Sequence, residues 1–243
     1  MAETQLSPVP KKSDLGVRAL SAVVMVAVAG TALWLGGWWW TVFVAAAALG
    51  VLWEWQLLAR KLAKSRASLL LWLIGGTAYV GLSASILAVV VFVLGPIGPL
   101  FPICLVAATD IGAYFVGRSV GGPKIAPSIS PSKTWSGLAG GILGAALVVG
   151  FFGIFAHLPL DCDAGERHCV DPAGLAFLSL IVGTPVAIIA QTGDFFESWM
   201  KRRAGAKDSG NLIPGHGGLF DRVDGLLAVC FVGGLVEFFR FLS

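Results

Sequence analysis

The stretch Ser68–Leu94 reads SLLLWLIGGTAYVGLSASILAVVVFVL and has no charged residue in 27 positions. At a rise of about 1.5 Å per residue, a helix of this length crosses the roughly 30 Å hydrocarbon core of a bilayer. The rest of the 243-residue chain is similar, because 56% of its residues are hydrophobic and only 13% are charged. Soluble domains carry about 25% charged residues, so we exclude a soluble domain. The high apolar content excludes a disordered chain, and four Cys in 243 residues are too few for a small disulfide scaffold. The sequence predicts an all-α integral membrane protein.

Six further runs match this stretch in length and apolar character. Together they predict a bundle of about seven transmembrane helices, within a range of about six to nine. The predicted spans are Val17–Leu35, Trp39–Leu58, Ser68–Leu94, Gly98–Gly117, Gly137–Leu158, Ala173–Ser198 and Gly225–Leu242. The third run contains three glycines, so one tilted helix and two short helices both fit it. We expect residues 1–16 to form a cytoplasmic N-terminal tail and residues 17–243 a single polytopic membrane domain.

The placement of charge predicts the orientation of the bundle. Lys and Arg concentrate in the N-terminal tail and in the connections at 59–67, 118–136 and 199–224, whereas the connection at 159–172 is acidic. Short cytoplasmic loops carry the excess of basic residues. With seven spans, the N-terminus and every basic segment lie in the cytoplasm and the C-terminus lies outside. Cys162 and Cys169 fall in the acidic outer loop, where a disulfide is chemically permitted.

Ionisable residues are densest between Lys201 and Asp224, where nine of 24 residues titrate and five are glycine. Just upstream, Asp194, Glu197 and Lys201 fall on one face of a helix, because they stand at i, i+3 and i+7. A carboxylate one turn inside the membrane edge is costly without a cation beside it. Two interpretations stay open for Asp194: a metal ligand, or a helix-end carboxylate paired with Lys201 or Arg202.

Asp221 and Asp224 stand three residues apart at the start of the last span. Each could cap that helix, since carboxylates are favourable at helix N-termini. Two caps are unnecessary, so we favour metal ligation for at least one of them.

A second polar group precedes this one. Asp110, Tyr114 and Arg118 share a helix face at i, i+4 and i+8, and they lead into a loop with Ser130, Lys133 and Thr134. Hydroxyls and cations at a membrane edge are what phosphate oxygens require, although a purely structural loop also fits. The two segments, 110–136 and 194–225, are therefore the expected catalytic segments.

This inventory of carboxylates and cations suits phosphoryl or nucleotidyl transfer. Such reactions depend on positioning and charge neutralisation, often with Mg²⁺ held by one or two carboxylates and the substrate phosphates. Walker and dinucleotide-binding motifs are absent from the sequence, as is the Asp-Gly-x-x-Ala-Arg pattern of CDP-alcohol transferases. The competing hypothesis is a cation or phosphate transporter that uses the same intramembrane carboxylates. A transporter would place them near the bilayer midplane, whereas these gather at one face.

The segment Ser198–Gly225, SWMKRRAGAKDSGNLIPGHGGLFDRVDG, resembles the signature of the CDP-diacylglycerol synthases, also called phosphatidate cytidylyltransferases. The helix face from Asp110 to Arg118, the Ser130–Thr134 segment, Arg18 with Ser21, and Glu54 with Trp55 are also similar to that family. The chain departs from it at Ser136, where many members have an acidic or amide residue, and at Gly225, where many have Ser.

The resemblance implies a bacterial inner-membrane enzyme that converts CTP and phosphatidic acid to CDP-diacylglycerol and pyrophosphate on the cytoplasmic side. It implies Mg²⁺ with a K⁺ ion beside it as cofactors, and no nucleic-acid partner. Separately, glycine-rich helix faces, such as the one with Gly140 and Gly144, are compatible with a homodimer. The implied metal ligands are Asp194, Asp221 and Asp224. The implied catalytic residues are Lys201, Arg202, Lys207, Asp208, His216 and Arg222. The implied substrate-binding residues are Asp110, Tyr114, Arg118, Ser130, Lys133, Thr134 and Ser198.

Overall fold

A computed structural model describes residues 15–155 and 172–242 of the chain. Within these ranges seven helices and one short hairpin follow in order: α1 Leu15–Leu35, α2 Gly37–Leu62, α3 Arg66–Leu94, α4 Ile97–Val120, β1 Lys124–Ala126, β2 Ser130–Thr134, α5 Trp135–Phe155, α6 Pro172–Arg203 and α7 Phe220–Leu242. The two strands pair antiparallel, with Lys124 opposite Thr134. Most of the expected tail and of the acidic loop, including Cys162 and Cys169, lies outside the described residues.

The predicted spans coincide with helices, which confirms the all-α multi-pass membrane fold. The third run is a single helix, α3, of 29 residues. Six helices, α1 to α6, are long and apolar enough in their described residues to cross a membrane. The seventh helix, α7, begins at Phe220, five residues before the predicted span, and carries Asp221, Arg222 and Asp224 in its first two turns.

The basic connections all lie at the same end of the bundle, which we call the basic end. At this end α4 stops at Gly121 and Gly122, whose φ angles of 67° and 105° suit glycine. The hairpin then leads into α5, where the Thr134 Oγ1 accepts a hydrogen bond of 3.0 Å from the Gly137 N–H and so caps the helix. This turn returns the chain to the membrane directly beside α4.

Glycines bring α4 and α5 into close backbone contact. A Cβ on Gly112 would meet the carbonyl oxygen of Gly140, and a Cβ on Gly144 would meet the carbonyl oxygen of Ala108. Small residues allow this approach between membrane helices. The Gly140–Gly144 pair therefore packs within one chain, and the homodimer stays a prediction.

An aromatic cluster joins α2, α3, α6 and α7 at the basic end. Trp55 packs against the rings of Trp72, Tyr79, Phe196 and Phe220 at centroid distances of 5.7–6.2 Å. Its indole N–H donates a 2.8 Å hydrogen bond to the Trp72 carbonyl oxygen, so its polar atom is satisfied. The cluster fixes the end of α6 and the start of α7, which carry the polar residues described next.

Candidate active site

A cavity of about 800 Å³ opens at the basic end, where α4, the hairpin, α6 and α7 meet. Basic and acidic side chains line it in similar number, and we call it the polar cavity. The basic residues are Arg118, Lys124, Lys133, Lys201 and Arg222, and the acidic residues are Asp110, Asp194, Glu197, Asp208, Asp221 and Asp224. A site of this kind can hold an anionic ligand and a cation together.

The two expected catalytic segments meet through an ion pair between Lys133 and Asp194. Lys133 lies at the end of the hairpin and Asp194 on α6, and both side chains are about three-quarters buried. Burial opposes the charge on Lys133, but the carboxylates around it, first that of Asp194, raise the pKa of its ammonium group above the ordinary value. Lys133 is therefore protonated at neutral pH. The ion-pair partner of Asp194 is thus Lys133. The interpretation that paired Asp194 with Lys201 or Arg202 is wrong.

Lys201 links α6 to α7. Its Nζ lies 2.6 Å from Glu197 Oε2 and 2.6 Å from Asp221 Oδ1. Glu197 is almost fully buried, and its other oxygen, Oε1, has no hydrogen-bond partner among the described residues. One ammonium group thus binds a carboxylate from each helix, which holds the two helices in register beside the cavity.

Asp221 organises the connection that precedes α7. Its Oδ2 accepts hydrogen bonds from the Ser209 N–H at 3.0 Å, the Ser209 hydroxyl at 3.0 Å and the Gly218 N–H at 2.9 Å. These donors come from the connection before the helix, so Asp221 is not a simple cap of α7. Asp224 accepts a 2.8 Å hydrogen bond from the N–H of Gly225 and faces the cavity.

The cap of α7 comes instead from Glu54 on α2, which is fully buried. Its two oxygens accept hydrogen bonds from the Leu219 N–H at 3.0 Å and the Phe220 N–H at 2.8 Å. A third bond, of 2.9 Å, comes from the Ser209 hydroxyl. Ser209 thus stands between Glu54 and Asp221, whose carboxylates share its single hydroxyl proton. A carboxylate at the positive end of α7 is favourable. Glu54 ties the connection to the rest of the bundle.

Eleven of the sixteen site residues predicted from the sequence line the polar cavity. These are Asp110, Tyr114, Arg118, Lys133, Thr134, Asp194, Lys201, Asp208, Asp221, Arg222 and Asp224. The structure places the other five, Ser130, Ser198, Arg202, Lys207 and His216, beside the cavity lining and not within it. The roles assigned to all sixteen stay predictions.

The five remaining residues have different surroundings. Arg202 and Lys207 are exposed, whereas Ser130 is buried in the hairpin opposite Ala126. The Ser198 hydroxyl lies 3.4 Å from Asp194 Oδ1. His216 lies outside the cavity lining and contacts α1.

The contact of His216 with α1 joins the Pro-Gly-His-Gly-Gly run to the first helix. Its Nδ1 lies 2.8 Å from the Ser21 hydroxyl, and its carbonyl oxygen accepts a 2.7 Å hydrogen bond from Arg222 Nη2. Ser21 was singled out only through the resemblance, and the structure gives it this contact. His216 therefore connects α1 to a residue of the cavity wall.

The predicted set did not include several residues that line or support the cavity. Gln191, Glu197 and Lys124 line it, and Glu54 and Ser209 hold the connection before α7. The helical spacing contains a signal for the first two, because Gln191 and Glu197 stand three residues on either side of Asp194. Contacts between residues as distant in sequence as Glu54 and Ser209 leave no comparable signal.

The donor set can be compared with the needs of a hard divalent ion. Among the described residues no group of three or more His, Cys, Asp or Glu side chains is close enough to enclose a metal. Mg²⁺ requires only one or two carboxylates when substrate phosphates and water complete its shell. Asp194 and Asp224 both line the cavity. Asp194 has one partner at each oxygen, Lys133 and Ser198, and Asp224 accepts one hydrogen bond, at Oδ1. The pair therefore fits such an ion in part. Asp221 fits less well, because its oxygens already bind Lys201, Ser209 and Gly218.

Comparisons with family models and with curated proteins agree on one family. Residues 71–239 match the cytidylyltransferase family. The chain is 36% identical over 262 residues to a phosphatidate cytidylyltransferase of Brucella suis biovar 1 (strain 1330), covering 89% of this chain and 90% of the relative. It is 34% identical over 233 residues to one of Rickettsia bellii (strain RML369-C), covering 93% of each chain. With one of Bacillus subtilis (strain 168) it shares 40% identity over 131 residues, 54% of this chain and 44% of the relative. The chain belongs to the cytidylyltransferase family.

Proposed function

We propose that the protein transfers the cytidylyl group of CTP to phosphatidic acid, which forms CDP-diacylglycerol and releases pyrophosphate. The observation that carries this proposal is the polar cavity, which gathers most of the charged residues of both expected catalytic segments at one end of a membrane bundle. Relatives named phosphatidate cytidylyltransferase, aligned over nearly the whole chain, support the same reaction.

The chemistry requires charge neutralisation more than a base. An oxygen of the phosphatidate phosphate attacks the α-phosphorus of CTP, and the bond from that phosphorus to the oxygen bridging to the β-phosphate breaks. The nucleophile is already an anion, so the barrier lies in bringing two anions together. Lys133, Lys201 and Arg222 are placed to bind phosphate oxygens during this approach and to stabilise the departing pyrophosphate.

We also propose that the reaction depends on Mg²⁺, held by Asp194 and Asp224 with the substrate phosphates. A bound divalent ion would supply further neutralisation of the charge that repels the two substrates. A K⁺ ion beside it, implied by the resemblance, remains part of the proposal. Asp221 would join the metal ligands only by giving up one of its present hydrogen bonds.

The active site is proposed to face the cytoplasm of a bacterial inner membrane. CTP is soluble and phosphatidic acid lies in the bilayer, so a site at the membrane edge can receive both. The basic connections at the same end support this orientation, because such loops stay cytoplasmic. Labelling of single cysteines at positions 64 and 207 in intact cells tests it, and labelling of either by a membrane-impermeant reagent from outside would contradict it.

The transporter hypothesis gains no support from these findings. Its ionisable residues should line a path through the bilayer. In the described part of the chain they lie at the basic end, apart from Glu237 and Arg240 near the end of α7. The named relatives are transferases.

A pyrophosphate-release assay with purified protein tests the proposal. CTP and phosphatidic acid should release pyrophosphate in the presence of Mg²⁺, and a chelator should abolish the release. Diacylglycerol, which lacks the phosphate nucleophile, serves as the matched control and should be inert. Release that does not require the lipid, or no release with both substrates, would contradict the proposed reaction, whereas release that survives the chelator would contradict only the metal.

A further inference from the structure

Gln191 is a buried amide without a partner in the wall of the polar cavity. Its side chain is only 3% exposed, and neither Nε2 nor Oε1 has a hydrogen bond among the described residues. Buried polar groups are nearly always hydrogen-bonded, because an unpaired one loses its hydrogen bonds to water without gaining others from the protein. Both polar atoms of Gln191 thus lack a partner among the described residues, and the residue itself lines the polar cavity.

The surroundings of the amide explain why the protein does not satisfy it. Gln191 lies where α4, α5 and α6 meet, and Gly141 leaves room for it, since a Cβ there would come within 3.2 Å of Gln191 Nε2. The nearby Thr109 hydroxyl already donates a 2.8 Å hydrogen bond to the Leu105 carbonyl oxygen. Along α6, Gln191 lies about 4.5 Å deeper in the membrane than Asp194. The amide therefore occupies the inner wall of the cavity, away from the cations of its mouth.

The chemistry of the amide selects among the groups that a bound substrate could present. A Gln side chain offers N–H donors at Nε2 and an acceptor at Oε1. Phosphate oxygens and lipid ester carbonyls only accept hydrogen bonds, so they would leave Oε1 unpaired. A metal ion would bind Oε1 and leave Nε2 unpaired. The Watson–Crick edge of cytosine carries an amino donor beside a ring-nitrogen acceptor, and it pairs both atoms at once.

We propose that Gln191 binds the cytosine ring of the nucleotide, with Oε1 accepting from the 4-amino group and Nε2 donating to N3. The inference rests on the proposed function and extends it by placing the base at the inner wall of the cavity. The triphosphate then lies toward Lys133 and Lys201, which are nearer the mouth. Gln191 would then be a substrate-binding residue that lies outside the Ser198–Gly225 signature.

Equilibrium binding to the purified full-length protein tests the contact. Gln191→Met keeps the length and apolar body of the side chain and removes both hydrogen bonds. The affinity for labelled CTP should fall about tenfold, the loss expected for roughly two ordinary hydrogen bonds. Inorganic tripolyphosphate, which has no base, should compete equally well against the variant and the wild type. Thr192→Val is the matched control, because this neighbour on α6 does not line the polar cavity and its hydroxyl donates a 2.7 Å hydrogen bond to the Ile189 carbonyl oxygen of its own helix.

Further measurements separate this role from structural and ribose-binding alternatives. The unfolding temperature of the ligand-free Gln191→Met protein should equal or exceed that of the wild type, since no hydrogen bond of the free protein is lost. The variant should lose affinity for dCTP as much as for CTP, and its KM for phosphatidic acid should not change. A dCTP affinity that is insensitive to the substitution would assign Gln191 to the ribose and overturn the proposal.

Other outcomes would overturn it as well. Unchanged CTP affinity, or an equal loss of tripolyphosphate affinity, would remove the base contact, and so would a lower unfolding temperature with no specific loss of CTP. Failure of the proposed function would look different. A wild-type protein that binds CTP tightly through Gln191 but releases no pyrophosphate with phosphatidic acid would refute the reaction and retain the contact.

Discussion

Two cavities of similar size flank the end of α6, and their walls differ in chemistry. The polar cavity measures about 800 Å³. A second, apolar cavity of about 670 Å³ lies between α3, α6 and α7 and is lined largely by aromatic and aliphatic side chains. Asp194 and Glu197 face the first, whereas Gly193 and Phe196 face the second. A shift of one residue turns a helix by about 100°, so adjacent positions of α6 serve different cavities.

This comparison teaches that volume alone does not indicate the reaction site. The apolar cavity suits hydrocarbon, and its wall includes the ring of Trp55, whose polar atom is already bonded to Trp72. The wall of the polar cavity instead includes Gln191 and Glu197, which have unpartnered polar atoms, and the ion pairs of Lys133 and Lys201. Substitutions on the polar side should therefore affect activity far more than substitutions on the apolar side.

The largest effect is expected for Asp221→Asn. The amide keeps the size of the side chain but cannot accept hydrogen bonds at both positions, so either Lys201 or the pair of Ser209 and Gly218 loses its acceptor. We expect kcat/KM to fall by about 10² to 10³ in the pyrophosphate-release assay. Glu237→Gln, at the far end of the same helix, is the matched control and should retain activity. An active Asp221→Asn protein would show that the order of this connection is irrelevant to catalysis.

Lys133→Met should follow, with about a 10²-fold loss of activity, because it removes a cation from the phosphate site. It also leaves the largely buried carboxylate of Asp194 without its counter-ion, which lowers stability. The double variant Lys133→Met with Asp194→Asn should recover the unfolding temperature but not the activity. Lys64→Met, an exposed basic residue of the α2–α3 connection, controls for the loss of charge. If activity returned together with stability in the double variant, the pair would be structural only.

The bundle could be predicted well, because a membrane helix depends on local composition. Every predicted span is helical over its described residues, and the third run is one helix since its glycines alone do not break a 27-residue apolar stretch. The start of α7 was placed too late. Charged residues at Asp221 and Asp224 lower the hydropathy of the first turns without preventing the helix.

The site could be predicted only in part. Charge density located the two segments, and helical spacing placed Asp194 and Lys201 on one face. It could not show that the partner of Asp194 is Lys133, because that contact depends on how the hairpin folds back over α6. Gln191 was missed for a different reason: helical spacing places it on the face of Asp194, but the sequence does not show that its amide is buried without a partner.

Glu54→Gln should have an intermediate effect that acts through the connection before α7. One amide oxygen cannot accept the three hydrogen bonds of Glu54, and the amide N–H groups would face other donors. We expect a loss of about 1–3 kcal/mol of unfolding free energy, which lowers the unfolding temperature by about 2–4 °C per kcal/mol. Activity should fall roughly tenfold, because the same connection supplies the Ser209 and Gly218 hydrogen bonds that position Asp221.

A second measurement distinguishes this positioning role from direct catalysis. The connection of the Glu54→Gln protein should open more often, so trypsin should cleave at Lys207 faster than in the wild type. Loss of activity with unchanged unfolding temperature and unchanged cleavage would mean that Glu54 acts on the substrates themselves.

The smallest effect is expected on the apolar side, for Gly75→Leu. A Cβ at this position of α3 meets no atom within 4 Å, and Gly75 lines the apolar cavity, so the added side chain is expected to occupy that space. Activity should stay within about twofold of the wild type, as for a substitution that breaks no polar contact. A specific rise in the KM for phosphatidic acid, with the KM for CTP unchanged, would contradict this expectation. It would mean that an acyl chain of the lipid occupies the apolar cavity while its phosphate reaches the other face of α6, and the two cavities would then form one substrate site.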